Sequence, residues 1–340
     1  MHNQSTGKYM AVLLGAVALI VTAAYLSLTN GAFDMTVGDI VRTLLGIDPQ
    51  PEHKLVIFDF RLPRIVIAAL VGLGLGVAGA AIQGVTRNGL ADPGILGINA
   101  GAGAAVVIFM FFFSGQIKGA GWFSTMAMPL FGWAGGLTTA AFLYLFAWKD
   151  GKLDPQRVLL VGIATASGLG AVAMYISLKM NPSDFEMATV WMTGSIYNAN
   201  WKFIVSMLPW LVVLIPVIVR RSYILDLLQL EENSVRSLGV AVEKERMILL
   251  LGSIGLVSAC VSVSGGIGFV GLMAPHIARR LVGIRHVRMV PVCGLIGMAL
   301  VVVSDFIAKT VFSPAELPVG IVISIIGVPY FVYLLFKARA

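Results

Sequence analysis

The stretch VGLGLGVAGAAIQG, Val71 to Gly84, places Gly74, Gly76 and Gly79 at the spacing of a dinucleotide-binding fingerprint. That fingerprint works only where a glycine turn leaves a strand, opens a helix and presents backbone N–H groups to a pyrophosphate. Here the surroundings are apolar almost without interruption from Ile65 to Ile82, which is too long for one strand and suits a bilayer-spanning helix. In such a helix glycine has another use, because the missing Cβ lets two helices approach until their backbones touch. Gly72, Gly76, Ala80 and Gly84 recur every fourth residue, so the stretch reads as a small-residue packing face.

The rest of the chain agrees. Hydrophobic residues make up 58% of the 340 residues and charged residues 12%, and the mean hydropathy is +0.90, well outside soluble composition. Ten apolar runs are expected to form spans, at about 9–28, 65–82, 95–113, 123–148, 158–178, 201–219, 247–263, a short one at 269–282, 290–307 and 319–336. The first lacks a small-residue cleavage site and is read as a retained helix. The reading is an all-α polytopic membrane protein.

Ten spans put both termini on one side. With the N-terminus inside, two thirds of the 24 Lys and Arg fall on inner segments, the bias expected of the cytoplasmic face. The pI of about 9.5 is therefore a matter of topology; no basic soluble module points to nucleic acid. Cys260 and Cys293 fall within spans, where thiols behave as small apolar groups. The four histidines, His2, His53, His276 and His286, have no paired ligand spacing, so neither a metal site nor a cofactor is implied.

Two segments interrupt the helical pattern. After the glycine helix, Asp92-Pro93-Gly94 ends one helix and can begin the next, as a cytoplasmic turn or as a break bordering a pathway. In the second half, SGGIGFVGLMAPH, Ser264 to His276, contains the second break, with Pro275 and His276 in a short span. Glycine-rich, proline-broken segments at matching places in two halves point to an inverted repeat, the architecture of many transporters. The halves are about residues 61–180 and 247–337. Between them the longest inner loop, about 220–246, carries Leu225, Leu228, Val235 and Leu238 among its charges. It reads either as a solvated linker or as a docking element, with Gly239 ending a short helix in the left-handed conformation.

Together these residues resemble a known family. Arg61-Leu-Pro-Arg64, TRNGLADPGILG from Thr86 to Gly97, Asn99-Ala-Gly-Ala-Gly103, Trp191-Met-Thr-Gly-Ser195, Arg236-Ser-Leu-Gly239, GFVGLMAPH from Gly268 to His276 and Glu316-Leu-Pro-Val-Gly320 look like the FecCD/BtuC-like permeases of bacterial ABC importers. The resemblance runs from about residue 55 onward, in order. It implies one permease domain over residues 1–340, paired with a second permease subunit, identical or homologous, in the bacterial cell membrane. It also implies an extracellular or periplasmic substrate-binding protein and two cytoplasmic ATPase subunits. The usual cargo is an iron(III)-siderophore chelate, with vitamin B12 or haem in some members.

By the same resemblance Arg61 and Arg64 meet carboxylates of the binding protein at the outer mouth, a role suited to a planar guanidinium fork. Lys309 stands where the family has a third arginine and keeps the charge without the fork. Arg61→Glu and Arg64→Glu are accordingly expected to reduce uptake by weakening docking, with little effect on membrane insertion. Arg236 and Gly239 match the inner element that couples to the ATPase. No G-x-x-x-x-G-K-[ST] occurs, since Gly151-Lys152 is followed by Leu153 and Gly7-Lys8 by Tyr9, so ATP hydrolysis is expected in a separate subunit. A secondary transporter is the competing class, but Asp305 and Glu316 lie near span ends and no mid-membrane proton relay is evident.

Overall fold

The computed structural model describes residues 6–338, apart from 32, 34, 48–49, 95, 114–121, 150–151 and 313–314. Its first helix, α1 (Thr6–Thr29), leads to α2 (Val37–Leu45) and α3 (Pro51–Leu55), which runs through a π-helical turn at Val56–Arg61 into α4 (Leu62–Thr86). Then come α5 (Ile98–Phe113), α6 (Trp122–Ala147), α7 (Pro155–Ser177), α8 (Pro182–Met192) and α9 (Trp201–Arg220). Two short helices, α10 (Ser222–Leu227) and α11 (Glu232–Ser237), precede α12 (Val242–Ser264), α13 (Val270–Val282), α14 (His286–Thr310) and α15 (Val319–Ala338). A two-residue antiparallel ladder, Trp148–Lys149 with Lys152–Leu153, is the extended pairing among the described residues.

Seven of the described helices are long and apolar enough to cross a membrane, and Ile98–Phe113 and Val319–Tyr333 are shorter apolar helices. With α13 they occupy the places of the ten apolar runs. Polar residues fix several starts. Thr36 and Asp39 form a reciprocal capping box on α2, and Asp154 and Asn181 cap α7 and α8, each with proline at the first helical position. The helices α2, α3 and α8 were not expected, because each is too short or too polar to stand out as an apolar run.

The glycine face sits at the centre. A Cβ on Gly72 would lie under 3.0 Å from the Gly297 carbonyl oxygen, one on Gly76 equally close to the Cys293 oxygen, and one on Gly79 to the backbone of Gly271. So α4 lies backbone to backbone on α14 and touches the start of α13, and from Val71 to Thr86 all but Leu73 is buried. Gly84, the last of the series, faces the side chains of Leu225 and His286 instead. Around this pair α12 is also largely buried, while α1 and α7 expose most of their apolar surface. Exposed leucine, valine and phenylalanine along helices of this length are what a lipid environment accepts.

Candidate functional site

At one end of the bundle the first turn of α4 meets the last turn of α14. Arg64 Nε donates to both carboxylate oxygens of Asp305, at 2.9 and 3.1 Å, and Nη2 lies 2.8 Å from Asp305 Oδ1. Its Nη1 donates to Glu316 Oε2 at 2.6 Å. Asp305 is 1% exposed, so this is a buried pair with an exposed edge at Glu316. Arg61, projecting from the π-helical turn, is also buried and donates to the carbonyl oxygens of Leu28 and Phe33, the latter at 2.6 Å. Lys309 Nζ donates to the Ser27 carbonyl and, at 2.8 Å, to its hydroxyl. The three basic residues named from the sequence thus share one end of the molecule. Each of them holds a neighbour within the chain: Arg61 and Lys309 pin the end of α1, and Arg64 clamps α4 to α14.

The two helix breaks also meet. Asp92 Oδ1 accepts from the Gly94 N–H at 2.7 Å, and Pro93 packs against Gly271 so closely that a Cβ there would lie 2.6 Å from its ring. Beside this junction a cavity of about 190 Å³ lies between α5, α7 and α8, lined by Asn99, Trp191 and Gly266 among others. Asn99 Oδ1, Trp191 Nε1 and Asp92 Oδ2 are buried there or nearby without a protein partner among the described residues. Pro275 is buried within α13, and the His276 ring stands edge-on to Tyr330 of α15 with centroids 5.8 Å apart.

At the opposite end α10 and α11 fold onto the bundle. Leu225, Leu228 and Val235 are fully buried, whereas Leu238 is 63% exposed. The loop's apolar face is therefore mostly covered by this chain itself, because α4 and α14 supply the surface under α10 and α12 the surface under α11. Arg236 pairs with Glu232 at 2.8 Å, and Arg246, in the first turns of α12, reaches Glu232 and Glu243 at 3.3 and 3.2 Å. The hydrogen bond from Arg236, with the charge of Arg246 adding to it, holds the Glu232 carboxyl below the ordinary glutamate range. Gly239 follows α11 at φ +81°, and nothing lies within 4 Å of where its Cβ would stand.

Several residues that fasten this element were not singled out by the sequence. Arg87, itself at φ 51°, donates to the carbonyls of Leu228 and Leu230, both at 2.6 Å. Gln229 Nε2 donates to the Gly84 carbonyl at 2.9 Å. Asp226 accepts from the His286 backbone N–H at 2.8 Å and lies 2.7 Å from its ring Nδ1. Buried Gln83 joins Arg279, whose Nη2 donates to its Oε1 at 2.6 Å. The signal in the sequence was weak: polar residues at span ends look like headgroup anchors until their partners, far away along the chain, are known.

Comparison with known proteins meets this geometry from outside. A model of the FecCD transport family matches residues 19–337. The chain is 53% identical over 323 residues to the iron-uptake system permease protein FeuC of Bacillus subtilis, covering 95% of this chain and 96% of that protein. It is 44% identical to the iron(3+)-hydroxamate import system permease protein FhuG of the same organism, over 98% of this chain and 99% of that one. Among solved structures, an inward-facing metal-chelate type ABC transporter superposes with a TM-score of 0.81 at 30% identity, over 96% of this chain and 99% of that chain. With its helices in the same arrangement and the likeness running nearly end to end, this chain belongs to the FecCD transport family and is a multi-pass permease of ABC-importer type.

Proposed function

We propose that the chain carries iron(III)-siderophore complexes across the bacterial cell membrane by alternating access, as one of two permease subunits. The observation that carries the cargo class is the full-length likeness to permeases of iron-uptake and iron-hydroxamate systems. In this reading residues 61–180 and 247–337 are the two inverted halves, and the junction of Asp92, Pro93 and Gly94 with the segment before Pro275 and His276 borders the path. The buried polar atoms of Asp92, Asn99 and Trp191 support it, since unpaired polar groups suit a wetted wall better than a sealed core. Both termini are cytoplasmic, in keeping with the Lys and Arg bias.

The energy comes from separate ATPase subunits seated on α10 and α11, with Arg236 and Gly239 at the contact. The purified chain is expected to hydrolyse no ATP alone. In proteoliposomes, with its binding protein and ATPase, it is expected to take up ferric chelates in preference to vitamin B12 or haem. Robust hydrolysis by the isolated chain, or uptake of B12 or haem without ferric chelates, would overturn this reading. On the outer side Arg64, with Glu316 at its exposed edge, receives the binding protein, while Arg61 and Lys309 add positive charge around it.

Gly239→Val is expected to uncouple the system. A β-branched residue at φ +81° is strained by about 1–3 kcal/mol, yet no neighbour is struck, so the spans keep their packing. ATP hydrolysis is expected to persist while uptake falls at least about tenfold. Normal uptake and normal stimulation by the binding protein would show that the turn has no coupling role.

A further inference from the structure

Arg87 occupies a backbone position that its residue type disfavours. It follows α4 at φ 51°, in the left-handed region, and it and Phe269 are the non-glycine residues at positive φ among the described residues. A Cβ is unfavourable there, and glycine or asparagine is the usual choice at the end of a helix. The side chain has a specific task in return. One edge of its guanidinium, Nε and Nη2, donates to the carbonyl oxygens of Leu228 and Leu230, both at 2.6 Å. Leu228 caps the end of α10, and Leu230 lies just before Glu231, the N-cap of α11. The fork therefore grips the joint between the two short helices, and two bonds from one rigid plane fix direction as well as distance.

The backbone of Arg87 leads the other way, into the connection between α4 and α5. That connection has little slack. The Ala91 N–H donates to the Asn88 carbonyl at 3.1 Å, that of Leu96 to Pro93 at 3.3 Å and that of Gly97 to Gly94 at 3.1 Å. Ala91, Asp92 and Pro93 are buried, Pro93 packs on Gly271 of α13, and Asn99 just beyond lines the small cavity. The other polar links of the α10 segment end elsewhere. Gln229 reaches the Gly84 carbonyl and Asp226 reaches His286, on α4 and α14, two helices already held backbone to backbone. Of these links, the fork of Arg87 is the one that joins α10 and α11 to the connection itself.

We propose that Arg87 is a positioning residue, which passes movement of the joint between α10 and α11 to the connection 88–97 and through it to the junction with α13. The inference rests on the reading that the ATPase sits on α10 and α11.

Arg87→Gly separates transmission from folding, because glycine suits the left-handed cap and lacks the fork. In proteoliposomes with the binding protein and ATPase, ferric chelate taken up per ATP hydrolysed is expected to fall at least about fivefold. Its melting temperature is expected to stay within about 3 °C of the parent, since relief of the backbone offsets two bonds at a partly exposed edge. Arg87→Lys, whose ammonium can reach the same carbonyls, is expected to keep the ratio within about twofold of the parent. A parental ratio in Arg87→Gly would overturn the inference, and so would a larger fall in its melting temperature, which would make the fork a clasp of the fold. Asn233→Cys, at an exposed position of α11 and labelled with a benzophenone maleimide, tests the underlying reading separately by photo-cross-linking to the ATPase. A cross-link together with a parental ratio in Arg87→Gly refutes the relay and leaves the ATPase seat standing. Absence of the cross-link removes the seat and the inference with it.

Discussion

Gly76→Leu is expected to abolish accumulation of folded permease. The first atom of the new side chain would fall inside contact distance of the Cys293 carbonyl oxygen, and this obstacle is backbone in the middle of α14, not the tip of a flexible side chain. To admit it, α4 and α14 would have to separate along a contact that Gly72 and Gly297 continue one helical turn away. Overpacking alone costs about 1–3 kcal/mol where side chains can yield. Here the helices must part, and the loss is expected to exceed about 4 kcal/mol, the range reserved for gross disruption of a core. The measurement is the monodisperse fraction of a fluorescently tagged chain after solubilisation. Gly168→Leu and Gly170→Leu on α7 serve as controls, since no atom lies within 4 Å of either Cβ position. Parental yield from Gly76→Leu, or equal losses from the α7 variants, would contradict the close contact of α4 with α14.

Arg64→Ala is expected to have the next largest effect, and on folding before docking. Asp305 is 1% exposed and receives a bidentate pair from Arg64. Removing one member of a buried pair costs about 3–5 kcal/mol; here Asp305 would lose its hydrogen-bonded counter-ion and keep only the charge of nearby Lys309, so the lower end of that range is expected. Arg64→Glu should be worse, placing a third carboxylate beside Asp305 and Glu316. The expectation from the sequence, that charge reversal there has little effect on membrane insertion, concerns a step before this clamp between α4 and α14 forms. Adding Asp305→Asn to Arg64→Gln is expected to restore much of the lost stability, since neither partner then carries an unpaired charge. Binding-protein affinity measured in that rescued pair isolates the docking role. If Arg64→Ala melts within about 1 °C of the parent, the clamp contributes little and Arg64 acts only at the surface.

The sequence by itself determined the environment and the elements. Uninterrupted apolar runs of span length admit only helices in a membrane, because every backbone N–H and C=O must be satisfied within the segment. The spacing of Gly72, Gly76, Ala80 and Gly84 identified a packing face, and the glycines before Pro275 marked where a helix stops, since both are properties of neighbouring residues; Asp92-Pro93-Gly94 marked the connection but not its ends, because α4 already stops at Thr86 with Arg87 as its left-handed cap and α5 begins only at Ile98. Gly239 was likewise legible as a left-handed end to a short helix. What lay beyond the sequence was every pairing between distant residues. Only the tertiary structure decided that the glycine face meets α14, that Arg64 answers Asp305 at 241 residues' separation, that Arg87 and Gln229 bind the inner element to α4, and that Leu225, Leu228 and Val235 are covered from within. A residue's type states which contacts it can make, while the choice of partner depends on how helices of similar apolarity sort against one another. In a bilayer that sorting is driven by shape and a few polar pairs rather than by hydrophobicity, so hydropathy found the helices and could not order them.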